Sequence, residues 1–354
     1  MTKKSQTPPT PQTPQTPPNR LGKKLLSITI LIIVLALFAY YISSNWSDFT
    51  QIKIYKPILI IPLVLITLLV AITNGLLTKY LVAPFNINLN FKEWFGLSTI
   101  TTFYNTIMPF RGGLIAKAAY LKKRHNFPFT DFIATMAGIY VINFLVGSFL
   151  GLLSLYFIYL YYQIFNPIVT LIFAIMFLIS LSITIFSPKL PDVKNPLINR
   201  IIRVVNGWHM IKNNRKIIKV SFIVMTLQLV LGAISTAILY SMFNINVSFI
   251  KGLYLACLSS FSILVGITPA GLGINEAIGV FSGLVIGITP AQSISASILS
   301  RVIGTTIIFI LGPIFSYILI KNKPSTPSPL LTSQTPTTQP LSQKSIKSYI
   351  PIIK

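Results

Sequence analysis

Acidic residues, histidine and cysteine are scarce in this 354-residue chain, and each scarcity excludes a kind of site. Its five acids, Asp48, Glu93, Asp131, Asp192 and Glu276, are isolated from one another in sequence. The closely spaced acid pair that membrane glycosyltransferases use is therefore missing. Two histidines and one cysteine cannot form a cysteine-based metal site or a disulfide framework.

Nucleotide-binding and hydrolase motifs are also missing. The sequence has no Walker A loop, no protein kinase signature, no H-E-x-x-H and no G-x-S-x-G element. The largest loop, 188–216, is basic and irregular and offers no place for soluble catalytic chemistry. We therefore predict no cofactor, no metal and no catalytic residue, and we favour a protein that is not an enzyme.

Long hydrophobic runs dominate what is present. Hydrophobic residues make up 53% of the chain and charged residues 10%, whereas soluble domains average about 25% charged residues. Many of the runs are long enough to cross a hydrocarbon core of roughly 30 Å. We predict an all-α, polytopic integral membrane protein with about eight transmembrane helices, at 25–42, 57–77, 130–162, 167–187, 217–242, 250–268, 274–288 and 291–320. The segment 274–288 is short enough to re-enter the membrane instead of spanning it.

The ends of the chain differ from its centre. A Pro/Thr/Gln-rich tail at 1–24 and a basic Ser/Thr/Pro-rich tail at 322–354 flank a transmembrane domain at 25–321. Such compositions cannot bury a core, so both tails are predicted to be disordered.

The net charge of +24 lies mainly in these ends and in the loops between spans. The positive-inside rule then predicts a multi-pass protein of the cell membrane with both termini in the cytoplasm. The basic and aromatic stripe of single-strand nucleic-acid binders is missing. We expect anionic lipid headgroups as partners, and no nucleic acid.

Two apolar segments contain helix-breaking residues. The segment near 91–123 passes through Pro109 and Gly112–Gly113, and the segment near 266–289 passes through Pro269, Gly271 and Gly273. Irregular backbone at membrane depth is tolerated only inside protein or beside a water-filled cavity. We therefore predict re-entrant or broken helices in both segments. Their matching positions favour inverted repeats, and a fold with two such segments but no symmetry is the alternative.

Charged side chains at these breaks are the candidate site residues. Glu276 is either a stabilising acid in a helix's first turn or a polar group presented to a cavity. Its candidate partners are Arg301, in the last predicted helix, and Arg111, at the first break. Arg111 is either an interfacial anchor or an anion ligand. Lys117 belongs either to a lipid-facing basic surface or to a phosphate site.

Two motifs lie at the breaks, NTIMPFRGGLIAKAAYL at the first and PAGLGINE at the second. Together they resemble the flippase-like family of the lysylphosphatidylglycerol synthase transmembrane region. The resemblance adds Asn105, Gly113, Gly271 and Gly273 to Arg111, Lys117, Glu276 and Arg301 as expected substrate-binding residues. Leu114 and Asn275 stand where relatives often carry charge. Relatives that make lysyl-lipid carry an additional soluble domain, so we expect no synthase activity from this chain alone.

The resemblance implies a membrane protein that acts on or moves lipids. Our leading hypothesis is a lipid translocase-like protein for an anionic phospholipid or a lipid-linked intermediate. The alternative is a membrane transferase, or its membrane subunit, for lipid-linked sugars or aminoacyl-lipids. A separate soluble or membrane enzyme is a candidate partner in either case.

Overall fold

A computed structural model describes residues 53–186, 211–264 and 268–321, together with residues 190, 191, 193, 198, 199, 202, 206 and 208. The predicted first span at 25–42 and the tails at 1–24 and 322–354 lie outside the described residues. Within the described part the secondary structure is helical and contains no strand. The predicted all-α membrane class is confirmed.

The α-helices of the described part are numbered here in chain order. They are α1 (Ile60–Val82), α2 (Phe91–Ile107), α3 (Gly112–His125), α4 (Phe129–Tyr162), α5 (Pro167–Phe186), α6 (Arg215–Met242), α7 (Phe249–Ser260), α8 (Ile274–Val285) and α9 (Pro290–Lys321). Short 3-10 turns at Pro57–Leu59 and Ala83–Phe85 flank α1, and those at Phe261–Leu264 and Pro269–Gly271 lie between α7 and α8.

Five of the described helices, α1, α4, α5, α6 and α9, are long and apolar enough to cross a membrane. Helices α7 and α8 have 12 residues each, so each is about 18 Å long at 1.5 Å per residue. That length is well short of a hydrocarbon core of roughly 30 Å. The region predicted to hold spans at 250–268 and 274–288 is therefore built from two short arms around a break.

Helices α2 and α3 with the turn between them form broken segment A. A reciprocal cap starts α2: the Glu93 N–H donates to Asn90 Oδ1 at 3.0 Å, and the Asn90 N–H donates to Glu93 Oε2 at 3.3 Å. The helix ends at Ile107, just before Pro109. Phe110 and Arg111 then adopt φ of 55° and 57°, a left-handed conformation that side chains other than glycine rarely adopt.

Helices α7 and α8 with the chain between them form broken segment B. Around Pro269 the backbone turns through Ala270, Gly271 and Gly273, with φ of 52°, 66° and 81°. Two of these three left-handed positions are glycine, which adopts them without steric cost. Helix interruptions are thus present at both prolines, as predicted.

The helix contacts repeat between the two halves of the described chain. Helix α1 packs on α2 as α6 packs on α7, and α3 contacts α4 as α8 contacts α9. Broken segment A packs against α9 through α2, and broken segment B packs against α4 through α7. Helices α1 and α6 pack against each other. This set of pairs is expected when the chain contains two copies of one unit, in which a long helix is followed by a broken segment and then by a second long helix. Transporter folds with internal repeats are built in this way.

Hydrogen bonds to Glu93 join the first turn of α2 to the last part of α3, the two ends of broken segment A that are furthest from its turn. The Tyr120 O–H donates to Glu93 Oε1 at 3.0 Å, and His125 Nε2 lies 3.3 Å from the same oxygen. The hydrogen bond with His125 lowers the pKa of the Glu93 carboxyl, against the opposing effect of partial burial. A charged carboxylate therefore joins the start of α2 to the end of α3.

Candidate functional site

The turn of broken segment A brings its two arms into very close contact. Asn105 Oδ1 accepts a hydrogen bond from the Gly113 N–H at 2.9 Å, which caps the start of α3. A Cβ added at Gly113 would lie 1.8 Å from the Thr101 carbonyl oxygen. Gly113 therefore serves the packing of α3 on α2, while Asn105 holds the turn and also lines a cavity.

Arg111 reaches from this turn to two other parts of the fold. Its guanidinium donates to the Tyr140 hydroxyl of α4 at 3.3 Å and to the Ile263 carbonyl in broken segment B. The side chain thereby joins the two broken segments. Arg111, one of the two candidate partners of Glu276, does not contact it, because its guanidinium binds a neutral hydroxyl and a carbonyl instead.

Lys117 is buried in the second turn of α3, six residues after Arg111. The residue is only 7% exposed, and its ammonium donates to Thr78 Oγ1 of α1 at 2.5 Å. Neither Lys117 nor Arg111 forms an ion pair with any residue that the structure describes. Buried Lys117 and partly exposed Arg111 thus have only neutral partners among the described residues.

Glu276 combines the two roles that its sequence position left open. Its Oε2 accepts a hydrogen bond from the Gly273 N–H at 2.6 Å, as an acid in the first turn of a helix does. Its Oε1 accepts from Arg301 Nε at 3.1 Å and also from Arg301 Nη2. Arg301 Nη1 donates to the Ala270 carbonyl at 3.3 Å. The pair fastens the turn of broken segment B to α9.

These side chains line two neighbouring cavities. We call the first the cation cavity: it has a volume of about 230 Å³ and is lined by Asn105, Arg111 and Lys117 together with residues of α1, α4 and α6. The second, the hydroxyl cavity, has a volume of about 480 Å³ and is lined by Glu276 and Arg301. Asn74 and Thr102 line both cavities and form their common wall.

A third cavity of about 330 Å³ adjoins both. Asn143 and Gln228 line it together with the cation cavity, and Thr236 and Ser259 line it together with the hydroxyl cavity. The only carboxylate among the described residues that line the three cavities is Glu276. A pair of carboxylates for acid–base chemistry is therefore missing from these walls.

The sequence motifs and the cavity walls overlap in part. Five of the eight expected site residues line the two cavities named above: Asn105, Arg111, Lys117, Glu276 and Arg301. The other three, Gly113, Gly271 and Gly273, shape the backbone at the breaks. In the described part of the chain, no three His, Cys, Asp or Glu side chains form a group that could hold a metal ion.

Polar residues of the unbroken helices complete the site, and sequence reasoning did not assign them to it. Gln228 of α6 donates to Thr73 Oγ1 at 3.0 Å and to Asn74 Oδ1 at 3.1 Å in α1. Such a bridge between membrane helices is a structural role, yet Asn74 and Gln228 also line the cation cavity. The sequence signal that could have identified Asn74 and Gln228 is a side-chain amide within an apolar run, since such groups are rare in membrane spans.

One comparison with known proteins gives a match. A family model described as the lysylphosphatidylglycerol synthase TM region matches residues 24–312, which is most of the chain and includes both broken segments. No curated protein and no solved structure gives a significant match. The match over both motifs agrees with the cavities at the broken segments and the apolar helices described above. The chain belongs to the lysylphosphatidylglycerol synthase transmembrane-region family and is a membrane protein related to lipid handling.

Proposed function

We propose that this protein is a lipid translocase-like protein that binds the phosphate of an anionic lipid between Arg111 and Lys117 in the cation cavity. The observation that carries the proposal is the uneven charge of the cavity walls. Of the charged side chains there, Glu276 and Arg301 neutralise each other, which leaves Arg111 and Lys117 without a carboxylate partner in the described structure.

Uncompensated cations inside a membrane bundle are expensive, and such residues mark functional sites by default. A phosphate would compensate both at once, because arginine binds phosphate oxygens in a bidentate manner and lysine provides a point charge. The Asn105 amide and the Tyr140 hydroxyl lie in the same wall and offer further polar contacts. The cavity therefore has the chemistry of a phosphate site.

The ion pair between Glu276 and Arg301 has a different part in the proposal. Through Gly273, Ala270 and α9 it fixes the turn of broken segment B beside the hydroxyl cavity. In the proposal this ion pair orients the headgroup or controls its passage, whereas Arg111 and Lys117 bind the phosphate.

The proposed setting is the cell membrane, with anionic phospholipid headgroups or a lipid-linked intermediate as partners. Both termini are proposed to lie in the cytoplasm, as the distribution of basic residues indicates. A separate soluble or membrane enzyme that makes or consumes the lipid is the proposed protein partner.

Leaflet exchange in reconstituted vesicles tests the translocase role. The probe is phosphatidylglycerol with a fluorophore on an acyl chain, so that the headgroup is intact, and dithionite bleaches the outer leaflet. We expect wild type to exchange lipid above empty vesicles. Arg111→Ala combined with Lys117→Met should slow exchange by about a hundredfold or more, since it removes two hydrogen bonds to a charged group that contribute ~1.5–3 kcal/mol each.

The matched control removes one charge from the same helix. Lys123→Ala on α3 replaces an exposed lysine that lines none of the three cavities, and it should keep the wild-type rate. Equal rates in wild type and the Arg111/Lys117 double variant, with both proteins folded, would remove these residues from the mechanism.

A further inference from the structure

Several hydroxyl groups that line the hydroxyl cavity have no hydrogen-bond partner among the described residues. Five of its serine and threonine hydroxyls form no hydrogen bond with any residue that the structure describes: Thr236, Ser259, Ser297, Ser300 and Thr305. Hydroxyls in membrane helices commonly donate to the carbonyl one turn earlier. Thr306, next to Thr305 on α9, donates to the Val302 carbonyl in this way at 2.8 Å.

The charges in this cavity are already neutralised. Arg301 and the Gly273 N–H occupy both oxygens of Glu276, and the residue is 7% exposed. No other carboxylate of the described chain lines any of the three cavities. An ammonium group in the hydroxyl cavity would therefore lose water and gain no anionic partner, which is unfavourable in a low dielectric.

The position of the two cavities links these observations. Asn74 and Thr102 form the common wall, so a phosphate at Arg111 and Lys117 would have the hydroxyl cavity beside it, within reach of its substituent. At about 480 Å³ the hydroxyl cavity lies within the range of roughly 300–1,000 Å³ typical of small-molecule sites. Free hydroxyl donors and acceptors are the groups that bind a sugar or polyol.

We infer that the substrate headgroup is a phosphate that carries a neutral, hydroxyl-rich group, such as a sugar or polyol, and that it carries no amine. This inference rests on the proposed function, because the phosphate position is the one proposed for Arg111 and Lys117. It separates this chain from a binder of aminoacylated lipids, whose positive charge would need a free carboxylate.

Native mass spectrometry of the purified full chain with four lipids of identical acyl chains tests the inference. The lipids are phosphatidic acid, phosphatidylglycerol, phosphatidylinositol and lysylphosphatidylglycerol. We expect phosphatidylinositol to bind about tenfold tighter than phosphatidic acid, as two or more added hydrogen bonds would give. Lysylphosphatidylglycerol should bind no tighter than phosphatidylglycerol. Inositol 1-phosphate, which lacks the acyl chains, should bind far more weakly than phosphatidylinositol.

Variants of α6 and α9 assign the preference to the hydroxyl cavity. Thr236→Val with Thr305→Val removes two free hydroxyls at constant shape and should bring phosphatidylinositol to within about twofold of phosphatidic acid. Thr306→Val is the control on the same helix and should keep the preference. Gly304→Leu tests the same assignment by steric exclusion. A Cβ at Gly304 meets no atom within 4 Å, so the leucine side chain can extend into the hydroxyl cavity, and this variant should also lose the preference for phosphatidylinositol.

The results separate this inference from the proposed function. Loss of binding of all four lipids in Arg111→Ala with Lys117→Met, together with no headgroup preference in wild type, would overturn the inference and leave the phosphate site standing. Tightest binding of lysylphosphatidylglycerol, or equal binding of inositol 1-phosphate and phosphatidylinositol, would also overturn it. Lipid binding that does not depend on Arg111 and Lys117 would overturn both proposals.

Discussion

The three cations that line the cavities meet three different sets of neighbours. Arg301 faces a carboxylate, Arg111 faces a hydroxyl and a carbonyl, and Lys117 faces one threonine hydroxyl. Only the first has its charge balanced by a residue that the structure describes. Arg301 thus forms an ion pair within the fold, whereas Arg111 and Lys117 are the two cations that the proposed function assigns to an anion.

A double-mutant cycle at Glu276 and Arg301 tests the structural role of that pair. Glu276→Gln leaves the Arg301 charge without its partner, and we expect it to lower the free energy of unfolding by roughly 2–3 kcal/mol. This is less than for a fully enclosed pair, because the Arg301 side chain is 26% exposed. Arg301→Met should have a similar effect. Unfolding in detergent measures each value.

The combined variant distinguishes a pair from two independent residues. Glu276→Gln with Arg301→Met removes both charges, so it should cost clearly less than the sum of the single changes. Strict additivity would show that the contact contributes no coupling energy. Leaflet exchange of the combined variant then reports whether the pair also gates the lipid.

At the scale of the elements, the two broken segments depend on glycine in two different ways. Gly271 and Gly273 provide left-handed backbone beside Pro269, whereas Gly113 allows α2 and α3 to approach each other. Helix breaks of this kind have a local cause, so Pro109, Pro269 and the nearby glycines were enough to predict them. The lengths of α7 and α8 were harder to predict, because apolar composition continues past the ends of both helices.

Two glycine-to-alanine changes should shift stability in opposite directions. At Gly113 the added methyl group would meet the Thr101 carbonyl oxygen, a backbone atom that cannot turn away, so Gly113→Ala should separate α2 from α3 and lower the folded yield sharply. At Gly304 the methyl group enters open space. Gly304→Ala should stabilise α9 by about 0.5–1 kcal/mol, because alanine favours a helix over glycine.

Thermal unfolding of both variants in detergent checks this pair of predictions. A Gly113→Ala protein that melts at the wild-type temperature would show that the close approach of α2 and α3 is not needed for folding. A Gly304→Ala protein that melts below the wild-type temperature would contradict the prediction, because it would show that glycine at this position stabilises the fold although no atom lies within 4 Å of an added Cβ.

At the scale of the whole molecule, the site depends on contacts between residues far apart in the chain. Gln228 reaches Asn74 across 154 positions, and Arg111 reaches Ile263 across 152. Local sequence patterns indicated the charged residues at the breaks because prolines and glycines mark them. They could not indicate which amides and hydroxyls of α1, α6 and α9 share a cavity, since that depends on how the two halves pack.

For the proposed translocase role, the packing between the halves indicates which contacts would change as lipid crosses. Each broken segment lies against the long helix that follows the other broken segment, and in repeat transporters one repeat moves against the other around a fixed site. We therefore predict that a covalent link between α4 and α7 arrests exchange, whereas a link within one half does not.

Two cysteine pairs test this in a Cys257→Ser background, which removes the only native cysteine. A Cβ at Gly147 of α4 lies 3.1 Å from Ser260 Oγ of α7, and one at Gly283 of α8 lies 3.6 Å from Ser293 Cβ of α9. The second distance is a Cβ–Cβ separation and falls within the range of about 3.5–4.5 Å found in disulfides. In the first pair Ser260 Cβ lies beyond 4 Å, one C–O bond further than Oγ, and so near the upper end of that range. Oxidised Gly147→Cys with Ser260→Cys should exchange lipid no faster than empty vesicles, and reduction should restore the rate. Oxidised Gly283→Cys with Ser293→Cys should keep it. Unchanged exchange through the first cross-link would mean that lipid crosses without broken segment B moving against α4.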